Sequence, residues 1–375
     1  MYRKLKNSWH LNLAKGNELD KIKRGKNALS EIINQTNAWE ETIRLVTEKA
    51  GSLKTLSEGI EEVVFTGCGS ALNVAWVIAP TFQYYTGIKA RAVPSADCVF
   101  FPDTIFTTGS PALVVPISRS GDTTETVMAC EAAQARGMKT LSITCNPESQ
   151  LAGMTTETLV LEPASEKAVV TTQSVTSMVL CGQMFAAIVS NNGEMIEQLK
   201  SLPAIGQGDI QKYHDLGRRI GENENITKFA FVGSGPYYGL ARECQLKIKE
   251  MVVLPSDSYP VLDFRHGPKS NVDEQMLVTV LMSDSARDAE IAFLKDMKEL
   301  NGIILVLCEK ANPEISRTAD YLVEVNSGLP EFVRLILYLP VIQFLSYYKS
   351  LLQGQDPDNP RKLSYYVALE GAIGS

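Results

Sequence analysis

The chain has 375 residues, 45% hydrophobic and 21% charged, which is enough for two or three domains with sizeable cores. Its 36 Lys+Arg against 43 Asp+Glu give a net charge of -7, and no Lys/Arg-rich block occurs, so no nucleic-acid partner is expected. Seven scattered cysteines without a CxxC pair, and only three histidines (His10, His214 and His266), argue against a disulfide scaffold and a metal site and fit reduced thiols in a cytoplasm.

In chain order, MYRKLKNSWHLN is basic with no apolar core behind it, unlike a secretory signal. Residues 1–50 are expected to form a helical segment, clearest around Asn37 to Ala50. From Gly51 onward short β-rich runs alternate with helical patterns, the signature of a parallel sheet covered on both faces. A first domain over 51–200 offers EEVVFTG, KARAVPS, ALVVPIS, KTLSITC and TLVLEP as strands. A second over 217–350 repeats the series with FAFVGSG, VVLPSDS, MLVTVLMS, GIILVLC and DYLVEV. Gly67 to Gly233 is 166 residues, Ser118 to Ser283 is 165 and Cys145 to Cys308 is 163, so a nearly constant offset marks two copies of one α/β unit. Asn191 to Gly217, with Pro203 and several glycines, reads as the boundary, in or beside a connecting helix. Phe332 to Leu345 is too short to span a bilayer and contains Arg334, Pro340 and Gln343, so it reads as a buried helix and no membrane is expected. A tail over 351–375 carries DPDNPR.

In a parallel sheet, ligands collect where strand ends open into helix N-termini. SRSGDTTET (118–126) follows the apolar ALVVPI at such an end. Helix-start amides attract an anion, hydroxyls add hydrogen bonds, and Gly121 allows close approach, so Ser118, Ser120 and Thr123, with Arg119 nearby, form a candidate phosphate cradle. Simple helix capping by Asp122 or Thr123 is the competing reading. TGCGS, with Gly69 and Ser70, and VTTQS, with Thr171 and Thr172, add two more hydroxyl-bearing strand ends. A dinucleotide fingerprint fails, because TGCGSALN lacks the third glycine and VGSGPYYG spaces it one residue too wide; no P-loop occurs.

In the second half, Glu243, Lys247 and Glu250 share one helical face, with Lys249 off it. A carboxylate beside a lysine suits a general base, although the same spacing describes an ordinary solvated face. His266, in the rigid loop FRHGP, suits an acid or base near neutral pH, or a loop hydrogen bond.

The paired units, SRSGDT, ARECQLKIKE, DFRHGP and DPDNPRKL together resemble the double sugar-isomerase (SIS) phosphosugar proteins over roughly residues 35–370. That group includes the isomerase half of glucosamine-6-phosphate synthase, aminosugar-6-phosphate deaminase/isomerases and fructosamine-6-phosphate deglycases. The resemblance implies an α/β fold of two tandem SIS domains, each a parallel sheet of about five strands flanked by helices. It implies phosphate binding by Ser118, Arg119, Ser120, Thr123, Gly69 and Ser70, and sugar contacts from Thr171, Thr172 and Glu243. It implies proton transfer by Glu250 beside Lys247, and ring opening by His266 of a neighbouring subunit, hence a homodimer. No metal or other cofactor is implied. The family's CGTS loop is CGSA here, with Ala71 in place of one serine, and Tyr365 stands where the synthase has a catalytic lysine. No glutaminase domain precedes the pair in this sequence. The expected function is aminosugar-6-phosphate deamination with isomerisation; a deglycase, a ketose/aldose phosphosugar isomerase or a non-catalytic sensor are the alternatives.

Overall fold

Val-, Ile- and Leu-rich runs form two five-stranded sheets in a computed structural model that describes residues 24–107, 109 and 111–367. The start of the expected N-terminal helical segment and the last eight residues of the tail lie outside the described residues. The first sheet contains β1 (Glu62–Gly67), β2 (Lys89–Pro94), β3 (Ala112–Ser118), β4 (Lys139–Thr144) and β5 (Glu157–Val160), in the order β2-β1-β3-β4-β5. The second contains β6 (Lys228–Gly233), β7 (Ser256–Tyr259), β8 (Met276–Leu281), β9 (Ile303–Cys308) and β10 (Tyr321–Glu324), in the order β10-β9-β8-β6-β7. Read from its β7 edge, the second sheet repeats the first, and every pairing is parallel. The central strands β3 and β8 are buried at every position, which is why, apart from Ser118 and Thr279, their sequences are apolar instead of alternating.

Two elements differ from expectation. The first helix runs Lys26–Glu48, starting well before Asn37, because its opening amides are capped from the far end of the chain: Asn27 and Ala28 donate to the Asp358 carboxylate at 3.0 and 2.8 Å. Val252, expected to open the seventh strand, instead closes a π turn, Ile248–Val252, that extends the helix Pro236–Lys247; β7 begins at Ser256. The boundary segment is one helix, Gly193–Gly221, that continues through Pro203. Its Gly206 lets the Trp39 ring close on the backbone, where a Cβ would collide with it, and Trp39 is fully buried.

The segment Arg334–Leu352 is long and apolar enough by length and composition to cross a membrane, yet 83% of its apolar window is buried. Its one guanidinium, Arg334, pairs with Asp284 at 2.6 Å, and its helix packs along Gly193–Gly221. With Gln173–Val189 and Ser70–Thr86 it forms the core between the sheets, a single apolar cluster that includes Phe65, Phe185, Tyr237 and Phe344. That core brings the carboxyl-end loops of the first sheet against Pro236–Lys247.

Candidate functional site

The strand-end loops take their shapes from residues that only glycine can replace. After β1, Gly69 sits at φ 56°, ψ -126°, and Gly235 after β6 repeats it at 56°, -129°. Gly121 has φ 73°, and a Cβ there would run into Ser149 and Thr144. The backbone thus folds so that Ser118 Oγ lies 3.3 Å from Ser120 Oγ and 3.1 Å from Thr123 Oγ1. Ser118 also accepts from the Gly121 amide at 3.0 Å. Thr123 occupies the cap position of the helix Thr124–Gln134 but makes no side-chain cap. Capping of the helix by Thr123 therefore does not explain these hydroxyls, which bond to one another and accept from the Gly121 and Asp122 amides.

Arg119, expected among the phosphate donors, is engaged otherwise. It is buried and pairs with Glu166 at 3.1 Å, donates to the carbonyls of Ala168, Val169 and Tyr365, and lies 3.9 Å from the centre of the Tyr365 ring. Its guanidinium ties the third loop to the tail. Thr172 is also committed: both its amide and its hydroxyl donate to Glu166 Oε1. The Ser174 hydroxyl donates to the other Glu166 oxygen. Glu166 organises this corner, and sequence reasoning does not single it out; the one signal is an acidic residue between the strand run TLVLEP and the hydroxyl-rich loop VTTQS.

Thr171, by contrast, joins the two halves. Its hydroxyl donates to Ser70 Oγ at 2.8 Å and accepts from Lys247 Nζ at 2.9 Å, while its carbonyl accepts from the same ammonium at 3.1 Å. Lys247 reaches Glu250 Oε2 at 2.6 Å and Glu243 Oε1 at 3.2 Å. Glu243 closes the circuit, accepting from Ser70 at 3.1 Å and from Asn73 at 3.0 Å. Glu243, Lys247 and Glu250 thus form a network with Ser70 and Thr171, not a solvated face.

The π turn aims Glu250 so that it keeps its contact with Lys247 while about a fifth of its side chain stays exposed. Lys247 and Glu243 are buried. Burial alone would lower the Lys247 ammonium, but the carboxylates of Glu243 and Glu250 outweigh it and hold the group above its ordinary range. Burial pushes Glu243 up, with Lys247 opposing.

His266 stands apart. It is exposed, between two 3-10 turns and before Gly267 at φ 121°, and among the described residues no hydrogen bond or ion pair joins it to the network. The Tyr365 side chain likewise meets Arg119 and not Glu250. Among the described residues there is no cluster of three His, Cys, Asp or Glu side chains suited to a metal.

The matching loops of the second half are filled by the protein itself. Ser283 donates through its amide (2.8 Å) and hydroxyl (3.1 Å) to Glu290, which also accepts from Ser234 at 2.8 Å. Glu331, after β10, accepts from the Asp284 amide at 2.7 Å and the Ser285 hydroxyl at 2.7 Å.

Comparison with known proteins agrees with this doubled architecture. The chain is 24% identical over 360 residues to glutamine--fructose-6-phosphate aminotransferase [isomerizing] of Caldanaerobacter subterraneus subsp. tengcongensis, covering 91% of this chain and 59% of that protein. It therefore spans less than two thirds of the length of such relatives. A crystal structure of glucosamine-6-phosphate deaminase from Thermotoga maritima superposes with a TM-score of 0.75 at 27% identity, covering 92% of this chain and all of the other. Tagatose-6-phosphate ketose/aldose isomerase from Escherichia coli shares the fold, with a TM-score of 0.81 at 23% identity, covering 89% and 96%. The family model for the SIS domain matches twice, at 59–188 and 225–346, and the chain belongs to the SIS domain family.

Proposed function

We propose that the chain is a phosphosugar isomerase that acts as an aminosugar-6-phosphate deaminase/isomerase in the cytoplasm as a homodimer. The observation that carries this reading is the link from Glu250 through Lys247 and Thr171 to Ser70, which ties a partly exposed carboxylate to the hydroxyl-lined strand ends. The substrate phosphate is held by the hydroxyls of Ser118, Ser120 and Thr123 and the start of the helix Thr124–Gln134, in the loop that corresponds to the second-half loop filled by Glu290. Binding of that remote group places C1 and C2 beside Glu250.

His266 of a second copy assists ring opening. Glu250 removes the proton from C2 of the open-chain aminosugar and a proton is returned to C1, converting the aldehyde and amine into a 2-imino alcohol. Water adds to the imine and ammonia leaves, so aminosugar phosphate plus water gives ketose phosphate plus ammonia. Lys247 keeps a fixed positive charge beside the relay carboxylate. The likeness to a glucosamine-6-phosphate deaminase across the whole of that chain supports this reaction.

A deglycase is the second reading, favoured by Tyr365, an aromatic side chain packed on Arg119 where the synthase has lysine. Ammonia release from glucosamine 6-phosphate and galactosamine 6-phosphate, measured beside amino-acid release from fructoselysine 6-phosphate, separates them. Binding of all three without turnover, unchanged by Glu250→Gln, would replace both readings with a sensor.

A further inference from the structure

The stretch Lys167–Val169 of the loop that delivers Thr171 is anchored from outside the loop. The Lys167 and Ala168 amides donate to Glu31 Oε1 at 2.6 and 3.4 Å, and the Val169 amide donates to the Asp358 carbonyl at 3.0 Å. Arg119 takes the Ala168 and Val169 carbonyls. Glu31 belongs to the helix Lys26–Glu48, the same helix whose first amides Asp358 caps. One backbone stretch thus reads the positions of the first helix, the SRSGDT loop and the tail together. The second oxygen of Glu31 is buried and has no hydrogen-bond partner among the described residues.

We propose that Glu31 is a positioning residue for the loop Glu166–Thr172, and that the proton on its carboxyl decides how firmly that loop, and through it Thr171, is held. It rests on the function above only in treating the loop as part of the sugar-phosphate site. The charged groups facing Glu31 are acidic: Glu166 on the loop, itself paired with Arg119, and Asp358 on the tail. Burial and these two carboxylates push Glu31 up to about 7, against the pull of the two amides. The sign follows from linkage. A carboxyl raised in the fold from 4.5 to about 7 costs the fold progressively more as pH rises through that window, and the full cost is present above it. Opening the loop relieves that cost. The loop is therefore tightest below 4.5, loosens as pH rises towards about 7 and stays loose above it.

Glu31→Gln keeps the shape and one acceptor for the amides but cannot ionise. Hydrogen exchange of the Lys167 and Ala168 amides, compared between wild type and Glu31→Gln in the ligand-free protein below 4.5 and above about 7, tests the positioning role directly. Protection in wild type should fall about threefold or more, relative to the variant, on going from the acidic to the alkaline side. For glucosamine 6-phosphate, the ratio of wild-type to variant KM should rise by the same factor while kcat stays level; the substrate's own ionisation cancels in the ratio. An unchanged exchange ratio overturns the proposal. A responsive exchange ratio with no turnover of any sugar phosphate upholds it and instead removes the enzymatic reading. Glu31→Asp, which retracts the carboxylate while keeping its charge, should expose the same amides at every pH, and unchanged protection there would also sink the idea.

Discussion

The two halves of the molecule share one strand order and the same glycine conformation after their first strands, yet the loops after their third strands, β3 and β8, differ in what satisfies them. After β8, the amides and hydroxyls of Ser283, Asp284 and Ser285 are satisfied by the chain's own carboxylates, Glu290 and Glu331. After β3, Ser118, Ser120 and Thr123 bond to each other and to local amides, and among the described residues no carboxylate bonds to their hydroxyls. The second half behaves as an internal control. Given the same topology, a loop that closes on its own anion is structural, and a loop left with hydroxyls and a helix start is ready for an anion from outside. Duplication supplies two equivalent positions, and the side chains decide which remains open.

That contrast can be broken at several points. The largest expected effect is at Glu250, where Gln should lower kcat by about 10²- to 10⁴-fold with KM little changed. Steady-state kinetics on the best of the candidate sugar phosphates checks it, and equal losses in Asp257→Asn would show that the effect is not specific to the relay. Next comes Lys247→Met, which strands the buried Glu243 carboxylate without its cation; loss of about 3–5 kcal/mol in denaturant unfolding is expected. A loss under about 1 kcal/mol would mean that Glu243 is neutral and that the network is held by Ser70 and Asn73 instead.

Glu290→Ala sharpens the comparison. It leaves the Ser283 amide and the Ser234 hydroxyl without an acceptor and should cost about 1–3 kcal/mol of stability while leaving KM unaltered. Ser118→Ala should do the reverse, raising KM about two- to tenfold with stability nearly unchanged. If the two variants behave alike in both assays, the halves are not distinguished by occupancy.

Much of this was legible in the sequence. The alternation of strands and helices and the near-constant offset between landmarks needed only local patterns, and the parallel sheets follow from them. Glu243, Lys247 and Glu250 could be grouped by helical spacing, because a helix fixes which neighbours share a face. What lay beyond reading is long-range. Asp358 caps a helix more than three hundred residues away, so the start of Lys26–Glu48 carried no local cap signal. Arg119 looked like an anion donor in its own loop, yet its partners are Glu166 and Tyr365. Glu31 and Glu166 gain their roles only when helix, loop and tail assemble, and neither spacing nor composition marks them. The π turn at Glu250 was likewise hidden, since its sequence continues a helical pattern.

The most direct trial of the account is a crystal structure of the Glu250→Gln variant with glucosamine 6-phosphate bound. The phosphate should rest on the hydroxyls of Ser118, Ser120 and Thr123, with C1 and C2 within about 3–3.5 Å of residue 250. A phosphate seated on Ser283 to Ser285, or a sugar whose reacting carbons lie away from that side chain, would contradict it.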